Sequence, residues 1–267
     1  MLSPRRSRPL PPSMPVFLSR RHFLAATAAS AAATCMPFGA SEAAPSRGNA
    51  ADRGFTPSPG RVVLFQGDSI TDTGRSRTAT GPNAAAALGN GYPLLIASSV
   101  LQQHPTDGWQ FYNRGVSGHK VPDLDARWDA DTIALRPDIV SVLVGVNDYW
   151  HTKTKAYMGT TADYESQLTA LLARTRTALP NVTLVVLEPF VLRIGSVDAS
   201  WFPAFDERRA AAARVAAAAR ATWVALQQPF DKAAEKTGPA YWAADGVHPT
   251  AAGHALIAER WRSATHV

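Results

Sequence analysis

Five short apolar runs alternate with longer segments of helical periodicity across residues 61–267, and that rhythm restricts the fold more than any other property of the chain. The runs fall at 61–66, 109–113, 138–144, 182–187 and 222–227, and the third is the most apolar. Residues 90–103 place Leu94, Leu95, Ala97, Val100 and Leu101 at helical spacing. Residues 121–135 put Leu124, Trp128 and Ile133 on one face before Pro137. Segments 162–179, 204–221 and 250–263 read as further helices, the second rich in alanine and the last with Thr250 as its N-cap. Apolar strands alternating with amphipathic helices predict a parallel sheet covered on both faces. Ligands of such sheets bind beyond the carboxyl ends of the strands. Ser69, Gly115 and Asn147 each fall just past a predicted strand end and can therefore share one rim.

The first 43 residues have a different character. Arg5, Arg6, Arg8, Arg20 and Arg21 form a basic head, residues 23–33 are mostly apolar and rich in alanine, and Ser41-Glu42-Ala43 offers small residues for cleavage. That is the layout of a secretory signal, too short for a convincing membrane span. Ser19-Arg20-Arg21-His22-Phe23-Leu24 resembles the bacterial twin-arginine export signal. The expected organisation is a signal peptide at 1–43, a Pro/Ser/Gly-rich linker at 44–60 and one domain at 61–267, exported to the periplasm or beyond the cell. Cys35 is the only cysteine and lies in the leader, so a cleaved chain has neither disulfides nor cysteine chemistry. The whole chain carries 27 basic and 21 acidic residues; without the five Arg and one Glu of the leader, 22 and 20 remain. The net charge of +6 falls to +2, which removes the argument for a nucleic-acid partner.

Ser69 stands on a Gly67-Asp68-Ser69-Ile70-Thr71 turn, where a serine serves equally well as a helix cap or as a nucleophile exposed in a cleft. Asn113-Arg114-Gly115, Gly145-Val146-Asn147-Asp148 and Asp245-Gly246-Val247-His248-Pro249 follow in order. With these blocks the chain resembles the SGNH hydrolases, or GDSL esterases, over most of residues 61–264. The resemblance implies a flavodoxin-like three-layer α/β/α sandwich around a parallel sheet of about five strands. It also implies serine-ester hydrolysis, with Ser69 as nucleophile, His248 as base, Asp245 orienting it, and Ser69, Gly115 and Asn147 as oxyanion donors. The chemistry suits these residue types: a neutral serine needs a base, the base needs an orienting acid, and the tetrahedral oxyanion needs donors.

Other residues carry weaker expectations. Asp68, Tyr149, Trp150 and Trp242 are candidates for substrate contact, the aromatics being equally suited to sugar rings, acyl chains or core packing. Asp72 and Asp148 are expected to hold the turns by local hydrogen bonds. His254 reads as a packed or surface histidine, His119 and His151 have no assigned task, and no metal-ligand pattern is present. The spacing of Gly115-Val116-Ser117-Gly118 does not fit a dinucleotide loop. The blocks around Gly67, Leu88-Gly89-Asn90-Gly91-Tyr92, 113–131 and 245–254 are similar to bacterial carbohydrate acetylesterases, which implies removal of acetyl groups from xylan or xylo-oligosaccharides. A lipase, thioesterase or lysophospholipase, or a non-catalytic carbohydrate-binding protein, are the alternatives. The mechanism requires no cofactor. The expected partner is a small-molecule or oligosaccharide ester, with no stable membrane insertion of the mature chain and with oligomer formation left open.

Overall fold

The structure, a computed structural model, describes residues 61–267. The expected signal peptide and linker lie outside the described residues. Strands β1 (Val62–Gly67), β2 (Gln110–Asn113), β3 (Ile139–Leu143), β4 (Thr183–Leu187) and β5 (Thr222–Val224) form one sheet in the order β2-β1-β3-β4-β5. Every pairing is parallel. The chain order turns back on itself between β1 and β3, which opens a crevice at their carboxyl ends. Gly67, the last residue of β1, is in register with Leu143, the last of β3.

The helices are α1 (Ser69–Asp72), α2 (Ala85–Leu88), α3 (Tyr92–Gln103), α4 (Val121–Asp125), α5 (Trp128–Asp131), α6 (Val146–Lys153), α7 (Thr161–Ala178), α8 (Ala204–Ala218), α9 (Gln227–Thr237) and α10 (Ala251–Thr265). The two-residue period of a strand sends alternate side chains to opposite faces. Val63, Phe65, Ile139, Leu143, Val185 and Leu187 pack with α3, α9 and α10 on one face. Val140, Val142, Leu184 and Val186 pack with α4, α5, α7 and α8 on the other. Burial on both faces explains why the strands read as continuous apolar runs, and each fully buried side chain of this size contributes about 1.5–3 kcal/mol. Among the described residues no helix is long and apolar enough to cross a membrane.

Two helical expectations need correction. The single helix expected over 121–135 is broken into α4, α5 and a 3-10 turn at Ile133–Leu135. Arg127 and Thr132 leave helical geometry, with φ of −118° and −127°. Tertiary bonds claim both: the Arg127 guanidinium donates to the Arg114 carbonyl at 2.8 Å, and Thr132 Oγ1 accepts from Gln66 Nε2 at 2.8 Å. Helix α9 has no counterpart in the sequence analysis, and β5 ends at Val224 rather than continuing to 227. The cap of α9 comes from far along the chain: Glu188 Oε2 accepts the Leu226 and Gln227 amides at 2.8 and 2.9 Å. No local cap motif announces such a helix.

Candidate active site

Ser69 is the first residue of α1, directly after β1. The cap of this helix is Asp68, whose Oδ1 accepts the Ile70 amide at 3.0 Å. Capping is therefore done by the neighbour, and the Ser69 hydroxyl lies 2.9 Å from His248 Nε2. His248 Nδ1 lies 2.6 Å from Asp245 Oδ2. Because a carboxylate only accepts, Nδ1 carries the proton in this arrangement and Nε2 is left to accept from the serine.

Asp245 and His248 meet because the chain between them makes a tight turn. Gly246 takes φ +86°, and Asp245 Oδ1 accepts the Val247 and His248 amides at 2.9 and 2.7 Å. Backbone bonds from Leu192 to the Gly246 carbonyl and from Ser196 to the Asp245 carbonyl tie this loop to the segment after β4. Partial burial pushes the Asp245 pKa up, but hydrogen bonds from His248 and the Val247 amide outweigh it and hold the carboxyl below its ordinary range. Both side chains remain accessible, 45% for His248 and 40% for Asp245.

Opposite them stands the loop after β2. Asn113 organises it: Nδ2 donates to the Thr71 and Leu88 carbonyls at 2.6 and 2.8 Å, and Oδ1 accepts the Gly115 amide at 2.8 Å. This corrects the expectation for Gly115, because its N–H is already spent on Asn113. Gly115 serves close packing instead; a Cβ there would lie 2.5 Å from the Asp72 amide nitrogen. The loop offers a different N–H, that of Gly118. Gly118 sits at φ +82° with open space where a side chain would project, and while the Val116 and His119 amides donate to the Gly67 and Val116 carbonyls, the Gly118 amide takes no such partner among the described residues. Asn147, on the first turn of α6, donates from Nδ2 to the His119 carbonyl at 3.3 Å, which sets its amide beside Gly118 in the chain. Sequence order alone gives Gly115 and Gly118 equal standing; the partner of each amide separates them.

The same loop is pinned from several sides. Arg75 Nε donates to the Gly115 carbonyl at 2.7 Å, and Asp72 Oδ2 accepts from both the amide and the hydroxyl of Ser117 at 2.9 Å. Asp148 Oδ1 accepts the Val121 amide at 3.0 Å, while Arg208 donates to the Asp148 carbonyl at 2.8 Å. The bonds expected of Asp72 and Asp148 thus reach across elements rather than staying within their own turns.

Of the four candidates for substrate contact, Trp150 is the one beside the catalytic-type pair, with its ring 6.1 Å from that of His248. Asp68 is 1% exposed and buried as a cap, so it is not on the rim. Burial pushes its pKa up to about 7. Tyr149 is 8% exposed and packs against Trp201 and Phe205, because the residue before Trp150 on a helix points about 100° away. Trp242 donates from Nε1 to Thr237 Oγ1 at 2.8 Å and lines a groove between α9 and α10 that includes neither Ser69 nor His248. His254 is buried against Tyr92, with Nδ1 accepting the Tyr92 amide at 3.2 Å; burial pushes its pKa down to about 4. Among the described residues no group of three or more His, Cys, Asp or Glu is arranged to hold a metal ion.

A serine hydrogen-bonded to a histidine at the switch point of a doubly wound sheet defines an acyl-transfer type of hydrolase. Residues 65–256 match the family described as GDSL-like lipase/acylhydrolase, and the chain belongs to that family. It is a carboxylic-ester hydrolase. An acetylxylan esterase from Geobacillus stearothermophilus is 32% identical over 203 residues, covering 74% of this chain and 91% of that protein. The crystal structure of an acetylxylan esterase from the same organism superposes with a TM-score of 0.71 at 31% identity, over 79% of this chain and 96% of the other. A protein from Parabacteroides merdae described as a GDSL-like lipase superposes with a TM-score of 0.77 at 43% identity, over 79% and 98%.

Proposed function

We propose that Ser69, His248 and Asp245 act as a catalytic triad that removes acetyl groups from a carbohydrate such as acetylated xylan or xylo-oligosaccharide. The observation that carries this reading is the continuous chain Ser69 Oγ–His248 Nε2–His248 Nδ1–Asp245 Oδ2, at 2.9 and 2.6 Å. Ser69 Oγ attacks the ester carbonyl carbon while its proton passes to His248 Nε2. Asp245 stabilises the imidazolium that results. The carbonyl oxygen, now negative, is held by the Ser69 and Gly118 amides and the second N–H of the Asn147 side chain. Collapse of this intermediate expels the alcohol, which takes the proton from His248. Water then attacks the acetyl carbon while giving a proton to the same nitrogen, and collapse of this second intermediate releases acetic acid as His248 returns that proton to Ser69 Oγ.

The substrate class is supported by the relatives described as acetylxylan esterases and by Trp150, an aromatic face beside His248. The test compares p-nitrophenyl acetate with the octanoate ester, using the wild-type chain and Ser69→Ala side by side. Acetate-selective turnover that falls by at least about 10³-fold in the variant is the expected result. Preference for octanoate would transfer the reading to lipid or thioester substrates, and undiminished turnover in Ser69→Ala would overturn the triad. We further propose that residues 1–43 direct export by the twin-arginine route. Exchange of Arg20 and Arg21 for Lys is expected to leave the protein in the cytoplasm with its leader attached; unaffected export would reject that route.

A further inference from the structure

The groove that takes Trp242 away from the triad has a composition of its own. It encloses about 680 Å³ between α9 and α10, with Lys232 and Lys236 on one side and Arg260 on the other. Lys232 and Lys236 are one helical turn apart, so their ammonium groups fall on one face. Several cations elsewhere on the molecule are held in ion pairs, among them Arg127, Arg174, Arg209 and Arg214. Among the described residues, Lys232, Lys236 and Arg260 have neither an ion pair nor a hydrogen bond. Glu259 is the one carboxylate lining the groove, which leaves a net positive charge there.

An aromatic surface completes it. Trp242 is fixed by its bond to Thr237 and by an edge-on contact with Phe230, with ring centroids 6.4 Å apart at 87°. Tyr241 stands next to it at 5.2 Å and is 57% exposed. A rigid aromatic face suits the apolar face of a sugar ring, and a cluster of uncompensated cations suits a carboxylate. The groove is also continuous with the triad loop: the Thr250 amide donates to the Trp242 carbonyl at 2.8 Å, and Ala243 pairs with Pro249. The segment that presents Trp242 to the groove continues into the turn of Asp245 and His248, which the Ala243–Pro249 bridge closes.

We propose that this groove is a second binding site, for an anionic saccharide. It would hold a sugar ring against Trp242 and a uronate carboxylate among Lys232, Lys236 and Arg260. The proposal rests on the carbohydrate reading given above and extends it from neutral acetylated chains to chains bearing acidic sugars. Retention of such a chain beside the triad loop would raise the local concentration of its ester groups.

Calorimetric titration of the purified chain with a xylo-oligosaccharide bearing one uronic acid, and with its neutral counterpart, tests this. Neither ligand carries an ester, so binding is read without turnover. The acidic oligosaccharide is expected to bind at least tenfold tighter, with an affinity that falls as salt is raised. The double substitution Lys232→Gln, Lys236→Gln should bring it down to the level of the neutral sugar. Trp242→Ala should weaken both ligands, and retained unfolding midpoints would show that these variants fold. Equal affinity for the two sugars, or binding of neither, would overturn the proposal. So would displacement by polyglutamate at equal carboxylate concentration, since the site would then read charge alone. Hydrolysis of p-nitrophenyl acetate, measured in parallel, keeps this result separate from the esterase reading: a chain that cleaves the ester but ignores the uronate defeats only the groove.

Discussion

The two sides of the candidate site are built by opposite means. The side facing Gly118 and Asn147 is clamped by side chains from distant elements: Asn113, Arg75, Asp72 and Asp148 all bond to the 115–121 loop or its supports. Most of those groups are buried or nearly so. The side carrying Asp245 and His248 is a short exposed turn, held by backbone bonds and by the carboxyl of Asp245 itself. The difference matches the two tasks proposed for these sides. Donors aimed at a developing charge act through being fixed beforehand, so rigidity there lowers the barrier directly. A base must accept a proton from one partner and deliver it to another, and it needs contact with an incoming alcohol and water. Substitutions on the exposed side should therefore cost activity with little stability, and those on the clamped side should cost both.

Asp245→Asn provides the sharpest test. The amide oxygen can still accept from the Val247 and His248 amides, so the fold should persist, while turnover is expected to fall by about 10⁴-fold as the histidine tautomer is lost. A thermal midpoint lowered as much as by a clamp substitution would break the comparison. Next in size, Asn147→Ala should reduce kcat by about 10²–10³-fold, or roughly 3–4 kcal/mol, with a smaller change in KM. Steady-state kinetics on p-nitrophenyl acetate would check this.

Asn113→Ala should show the cost of the clamp. It leaves the Thr71 and Leu88 carbonyls without a donor and the Gly115 amide without an acceptor, and is expected to remove about 3 kcal/mol of stability as well as activity. Denaturant unfolding would measure the first, and activity loss without destabilisation would assign Asn113 a direct rather than a clamping role. A pH-dependent effect concerns Asp68. With its folded pKa raised to about 7, the unfolded chain releases this proton first as pH rises. Its contribution to stability is therefore present in acid and is lost between about pH 4 and pH 7. Asp68→Asn keeps an acceptor for the Ile70 amide and removes the titration. Its unfolding midpoint should gain on the wild type as pH rises through that window, and a constant difference from pH 4 to 9 would reject the assignment.

Much of this arrangement is legible in the sequence because it follows the strands. Ser69 and Asn147 sit where apolar runs end, and runs buried on two faces are easy to read. What is hidden depends on partners far along the chain. Gly115 and Gly118 follow the same strand, and only the bond from Gly115 to Asn113 disqualifies the former. Asp68 and Tyr149 lie one residue from groups on the rim, yet the cap position buries the first and the twist of α6 the second. Trp242 is three residues from Asp245 but lies outside the turn that the Ala243–Pro249 bridge closes. Helix α9 is capped by Glu188, the residue after β4, which no local pattern encodes.

The register of β1 with β3 gives the site a ruler. Gly67 and Leu143 are partners in the ladder, so Ser69 and the Asn147 amide leave the sheet from adjacent strands about 4.8 Å apart. That spacing is set by peptide geometry rather than by any side chain, and no single substitution can retune it. Heating should therefore separate Ser69 from the Asn147 amide only at the temperature where the sheet itself comes apart, and not in an earlier local step.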